Sequence, residues 1–211
     1  LAVVVMMLFM DSFLIPLIFL ASIGMAILYN LGSNYFLGEI SYITKALSAI
    51  LQLGVTMDYS IFLWHSYNEQ KVRFDGDKER AMAHAISNSI ISVASSSITT
   101  IAGFLSMCFM SFTLGADLGI VMAKGVVFGL IGCVTILPSL ILVFDKAIEK
   151  TRHKQLMPKF DKVARFITKR SWIFLIIFAV LIGPAVYGYN NTQKYYDLSQ
   201  TMPQDMDFVI A

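Results

Sequence analysis

The chain carries apolar runs in series, each near the length of a membrane span, and no water-soluble core accommodates that pattern. A helix needs about 20 residues, and no fewer than about 17, to cross a hydrocarbon layer of about 30 Å. Residues 13–29, 42–67, 89–112, 118–144 and 171–189 all meet that requirement, and 1–10 supplies a partial first span. In lipid every backbone N–H and C=O must be satisfied within the segment, so such runs become helices. Composition agrees, with 57% hydrophobic and 14% charged residues, against about 25% charged in soluble domains. The expected class is an all-α, polytopic transmembrane helix bundle of about five full spans plus the partial first one.

The polar breaks divide the runs. Asp11 and Ser12 end the first, and Pro16 sits near the start of the next, where a helix tolerates it,. Gly32, Ser33, Asn34 and Gly38 mark a turn in 30–41. Asp77 is an N-cap candidate for a cytoplasmic helix over 77–88 that runs into the 89–112 span,. Residues 113–117 turn the chain, and Pro138 ends or bends the span after them,. Gly119, Gly125, Gly129 and Gly132 in that span allow a neighbouring helix to approach closely,. The expected organisation is a bundle over 1–144, a basic cytoplasmic linker over 145–170, a last span over 171–189 and the start of an extracytoplasmic domain over 190–211. With Leu1 inside an apolar run and no basic leader before it, the sequence is expected to be a fragment,.

Basic residues orient the bundle. Thirteen of the 16 lie in 68–89 and 145–170, and none lies in 30–41 or 113–117. The positive-inside rule puts the two basic segments in the cytoplasm, and strict alternation of spans agrees. Within the linker, Phe160, Val163, Ala164 and Ile167 recur at helical spacing beside Lys159, Lys162, Arg165 and Lys169. That pattern fits either a helix on the inner leaflet or a solvated linker helix. The net charge of +2 is too small to imply a nucleic-acid partner,. Cys108 and Cys133 lie inside apolar runs, which excludes a disulfide framework and a zinc site of usual spacing,.

Asp58 is the most informative residue. An ionised carboxylate near the middle of a span costs roughly 2.5–3.5 kcal/mol on insertion scales, so it must face a bundle interior or a hydrated cavity. Tyr59 is rotated about 100° from it and can border the same crevice, where a phenol can relay a hydrogen bond. In the next span, Thr99 and Thr100 lie at about the depth of Asp58, within a run rich in small hydroxyl residues. They are candidates to hold Asp58 or a water chain, or equally small residues for close packing. Lys124 either pairs with a carboxylate on a neighbouring helix or snorkels toward the headgroups. His65, His84 and His153 have no companions at metal-ligand spacing, and no glycine-rich phosphate loop occurs, so no cofactor and no direct ATP hydrolysis are expected,.

The block Leu53-Gly-Val-Thr-Met-Asp58-Tyr59-Ser-Ile-Phe-Leu63 resembles the fourth-helix Asp-Tyr motif of MMPL transporters of the RND superfamily. Ser97-Ile-Thr99-Thr-Ile-Ala-Gly103-Phe104 is similar to their fifth helix. The stretch from Asp117 through Lys124 to Pro138 resembles their sixth, and Tyr195 to Pro203 the opening of an exported domain after the seventh. The resemblance implies a first-half piece, from the end of helix two through helix seven, of a bacterial cytoplasmic-membrane exporter. Such proteins export lipids or other hydrophobic molecules as protons pass inward through the Asp-Tyr pair. It further implies the remaining half of the same transporter as a partner, beside membrane lipids and protons, and no enzymatic activity. Thr99, Thr100 and Lys124 stand as secondary partners of Asp58 and Tyr59. A non-transporting sensor or receptor on the same plan, or an accessory of protein secretion, is the alternative. An intramembrane aspartyl protease needs two facing carboxylates, and only Asp58 lies deep in a span.

Overall fold

A computed structural model of the protein describes residues 5–7, 10–36, 38, 40–110, 113–153 and 161–192. Most of the partial first span, the middle of the basic linker and the opening of the extracytoplasmic domain lie outside the described residues. Helices α1 (Leu14–Gly32), α2 (Tyr42–Arg73), α3 (Lys78–Ser106), α4 (Thr113–Val134) and α5 (Ile136–Lys150) make up one unit. Helices α6 (Asp161–Lys169) and α7 (Ser171–Asn191) belong to a second. Among the described residues, five stretches are long and apolar enough to cross a membrane: Leu14–Phe36, Tyr42–Arg73, Lys78–Phe109, Gly115–Lys150 and Ser171–Asn191.

Local chemistry explains the helix ends. Ser41 is extended and its side chain accepts the Ile43 N–H, opening α2,. Lys71 and Arg73 occupy the last turn of α2, where cations favour the helix dipole,. Asp75 and Gly76 then take positive φ values of 49° and 89°, turning the chain back within four residues,. Asp77 follows as the N-cap of α3, accepting the Arg80 N–H at 3.2 Å. The helix expected over 77–88 and the span expected after it are one continuous helix, Lys78–Ser106. The span expected over 118–144 is longer and breaks at Thr135 (φ −114°, ψ −62°). Pro138 has no N–H to offer the Val134 carbonyl, so the ladder fails three residues before the proline itself.

Packing centres on α4, which touches α1, α2 and α3. Its glycines permit this. A Cβ on Gly119 would lie 2.6 Å from the Phe104 carbonyl oxygen, one on Gly125 2.6 Å from Asn30 Nδ2, and one on Gly129 2.5 Å from Thr56 Oγ1. Gly132 meets only ordinary contacts. The face of α2 turned toward α4 is polar: Thr44, Ser48, Gln52, Thr56 and Ser60 are buried at four-residue spacing. Leu47, Ile50, Leu51 and Phe62 are exposed. That inversion suits lipid, where apolar side chains face outward without cost and polar groups find partners inside. Asn30 Nδ2 donates to Gln52 Oε1 at 2.9 Å, and Gln52 Nε2 donates to the Gly125 carbonyl at 3.0 Å. Toward the C-terminal half of α2 the core turns apolar, with Ile15, Phe19, Leu63, Trp64, Leu137 and Ile141 in one cluster.

In the second unit, α6 carries Val163, Phe166 and Ile167 exposed. Phe166 meets Phe174 of α7 edge to face at 6.1 Å, and the Arg170 guanidinium lies 5.9 Å from the Phe166 ring.

Candidate functional site

The middle turns of α2 and α3 enclose a cleft of about 350 Å³. Val55, Asp58, Tyr59 and Phe62 line it from α2, and Ser92, Val93, Ser96 and Thr100 from α3. Asp58 is exposed and makes no hydrogen bond or ion pair among the described residues. Tyr59 is 5% exposed, and its buried hydroxyl has no partner among them. The rotation of about 100° between neighbours explains the contrast. Asp58 stands on the open side of α2, while the Tyr59 ring turns into the bundle core.

The other expected site residues separate. The structure brings Thr100 to the cleft, its hydroxyl donating to the Ser96 carbonyl at 2.9 Å. Thr99, one residue round the helix, is exposed, does not line the cleft, and donates to the Ser95 carbonyl at 3.1 Å. Lys124 does not line the cleft either. Its Nζ donates to Asn34 Oδ1, in the short turn that follows α1, so its partner is a neutral amide and not a carboxylate. Asp117, to which the sequence assigned no role, ties the outer helix ends together. Its Oδ2 accepts the Ser41 N–H at 3.0 Å and the Thr44 hydroxyl at 2.7 Å.

One charged cluster was not anticipated. Asp145, read from sequence as the first residue of the linker, lies within α5 and its side chain is only 3% exposed. Its Oδ1 accepts from Lys71 Nζ at 3.0 Å and the Tyr67 hydroxyl at 3.1 Å, and its Oδ2 is paired with Lys78. Lys71 also reaches Glu149 at 2.8 Å. This cluster joins the end of α2, the start of α3 and α5. A carboxylate at the end of one apolar run, with lysines at the ends of two others, was the available signal. The helix had to be extended past Phe144 to use it.

A model of the MMPL family matches residues 1–174. The chain belongs to the MMPL family. It is similar to ActII-3 of Streptomyces coelicolor, named as a membrane protein, at 26% identity over 76% of this chain and 23% of that one. It is similar to MmpL12 of Mycobacterium tuberculosis, named as a transport protein, at 25% identity over 94% of this chain and 17% of the relative. The hopanoid transporter HpnN of Rhodopseudomonas palustris is 28% identical over 48% of this chain and 12% of its own. The chain thus spans less than a quarter of the length of these curated relatives. No solved structure matches it. As an MMPL chain with five helices able to cross a bilayer, it is a multi-pass membrane protein.

In this MMPL chain the cleft brings together groups that can exchange or relay hydrogen bonds. An acid lies half-way along a membrane helix, a phenol without a partner lies beside it, and hydroxyls line the opposite wall. A carboxylate left facing lipid costs roughly 2.5–3.5 kcal/mol, which protonation or a covering polar surface removes.

Proposed function

We propose that the protein to which this chain contributes exports lipids or other hydrophobic molecules across the cytoplasmic membrane, driven by protons passing inward through Asp58 and Tyr59. The observation that carries the reading is the exposed Asp58 carboxylate in a hydroxyl-lined cleft, next to the unpartnered Tyr59 hydroxyl. The name of HpnN, a hopanoid transporter, supports the substrate class, and that of MmpL12, a transport protein, supports transport alone. In this reading Asp58 takes a proton from the outer side and loses its charge. The packing that suits the neutral cleft then differs from the packing that suits the charged one, and extracytoplasmic domains follow the helices. Each proton moving down 100 mV supplies about 2.3 kcal/mol, before any pH gradient. Thr100 and Ser96 hold water against the carboxyl. The remaining half of the transporter closes the cleft with a polar helix face, as the cost of charge in lipid requires.

The test is efflux of a fluorescent lipid analogue from vesicles holding the full-length protein under an inward proton gradient. Efflux in the wild type that stops with a protonophore and in Asp58→Asn supports the reading. Efflux indifferent to both would remove it and favour a chain that transports by another means or not at all.

A further inference from the structure

The cleft around Asp58 opens onto a face of α2 that the relay leaves unused. His65 is seven residues further on, two turns nearer the cytoplasmic end, and is exposed on the same side as Asp58,. At 1.5 Å per residue the two are about 10 Å apart, too far for one hydrogen-bonded transfer. Phe62, between them on α2, has no proton to exchange. The bridging groups stand on α3. Ser92, which lines the cleft, and Asn88, one turn on and exposed, are polar α3 residues level with that interval. The helices run antiparallel, with the Ser66 hydroxyl donating to the Ala85 carbonyl at 3.4 Å, which sets His65 at the level of the Asn88 turn. The cleft's 350 Å³ has room for about ten waters beside Asp58, and its lining on α2 ends at Phe62, one turn short of His65,.

We propose that His65 receives the proton that Asp58 releases and delivers it to the cytoplasm, with Ser92 and Asn88 ordering the water between them. The inference rests on Asp58 being a proton carrier. The Asp58 O–H bond breaks to leave a carboxylate, an N–H bond forms on the imidazole to give imidazolium, and imidazolium yields the proton to cytoplasmic water. An imidazole can take a proton on one ring nitrogen while the other donates one, which suits a relay between two bodies of water. Of the other titratable groups toward this end, Glu69 is one turn further along α2 and the His84 ring of α3 stacks on Phe74 at 4.7 Å. Lys71 and Lys78 are held by Asp145.

The test uses full-length protein in liposomes with the cytoplasmic side inward, a pH dye in the lumen and acid outside. His65→Ala slows proton influx about a hundredfold, and His65→Gln, which keeps bulk and polarity, does the same. Imidazole in the lumen restores influx in His65→Ala and leaves the wild type unchanged, with Asp58→Asn vesicles giving the leak to subtract. Influx at the wild-type rate in His65→Ala and His65→Gln overturns the inference and leaves the relay standing. Slow influx that imidazole does not restore also overturns it, since His65 then acts only through structure. Identical influx in wild type and Asp58→Asn overturns the relay and this inference together.

Discussion

Replacing Gly129 by alanine tests the register of α2 against α4, on which the orientation of Asp58 depends. The new Cβ would lie 2.5 Å from Thr56 Oγ1 and 3.3 Å from its Cγ2, whereas carbon contacts settle near 3.5–4.0 Å. Both helices are held elsewhere by the hydrogen bonds of Gln52, so the strain is not relieved by a small shift. Overpacking of this kind costs about 1–3 kcal/mol. Thr56→Ala removes both colliding atoms and leaves a Cβ at the ordinary distance of 3.5 Å. Thr56 Oγ1 has no hydrogen-bond partner among the described residues, so its loss orphans nothing. The double variant therefore regains most of the stability lost by Gly129→Ala, a coupling of about 1–3 kcal/mol. The assay is reversible unfolding of the purified protein in mixed micelles of mild detergent and dodecyl sulfate, followed by tryptophan fluorescence. Gly129→Ala matching the wild type, or a double variant no better than Gly129→Ala, would refute the packing.

Asp145→Asn leaves Lys71 and Lys78 without their shared carboxylate. It destabilises the protein by about 2 kcal/mol in the same unfolding assay, less than a fully buried pair because those lysines keep 19% and 36% of their side chains in solvent,. An unchanged midpoint would mean that the cluster is only a surface pairing. For topology, with Cys108 and Cys133 replaced, a cysteine at Ser33 reacts with an impermeant thiol reagent in intact cells and one at Thr151 does not. The reverse labelling would invert the bundle and the direction proposed for proton flow.

The spans and their order were legible because each apolar run must cross a layer of fixed thickness. The turn at Asp77 was legible because a capping residue there has a local job, and so was the close approach along Gly119, Gly125 and Gly129. Facing was harder to read. In a soluble helix the apolar stripe points inward, but α2 buries Thr44, Ser48, Gln52 and Thr56 and exposes Leu47, Ile50 and Leu51. Polarity alone does not phase such a helix. Thr99 and Thr100 therefore looked equivalent in sequence, although one residue of rotation puts only Thr100 on the cleft. Partners distant along the chain were invisible for a different reason. Lys124 meets Asn34 across 90 residues and Lys71 meets Asp145 across 74, and nothing local to either residue encodes its partner. The length of α5 hid Asp145 further, since the apolar run stops at Phe144 while the helix continues to Lys150.

The claim that Asp58 carries protons is tested most directly by internal-pH recording in vesicles that compare wild type, Asp58→Asn and Asp58→Ala under one imposed gradient. Asparagine keeps the shape of the neutral acid but cannot ionise, and its insertion is no harder because the costly charge is gone. The account predicts that both variants are present in the membrane at wild-type levels and that proton influx falls to the protein-free leak in both alike. A purely structural Asp58 predicts that Ala is damaging and Asn nearly silent. Wild-type influx in Asp58→Asn would contradict the account.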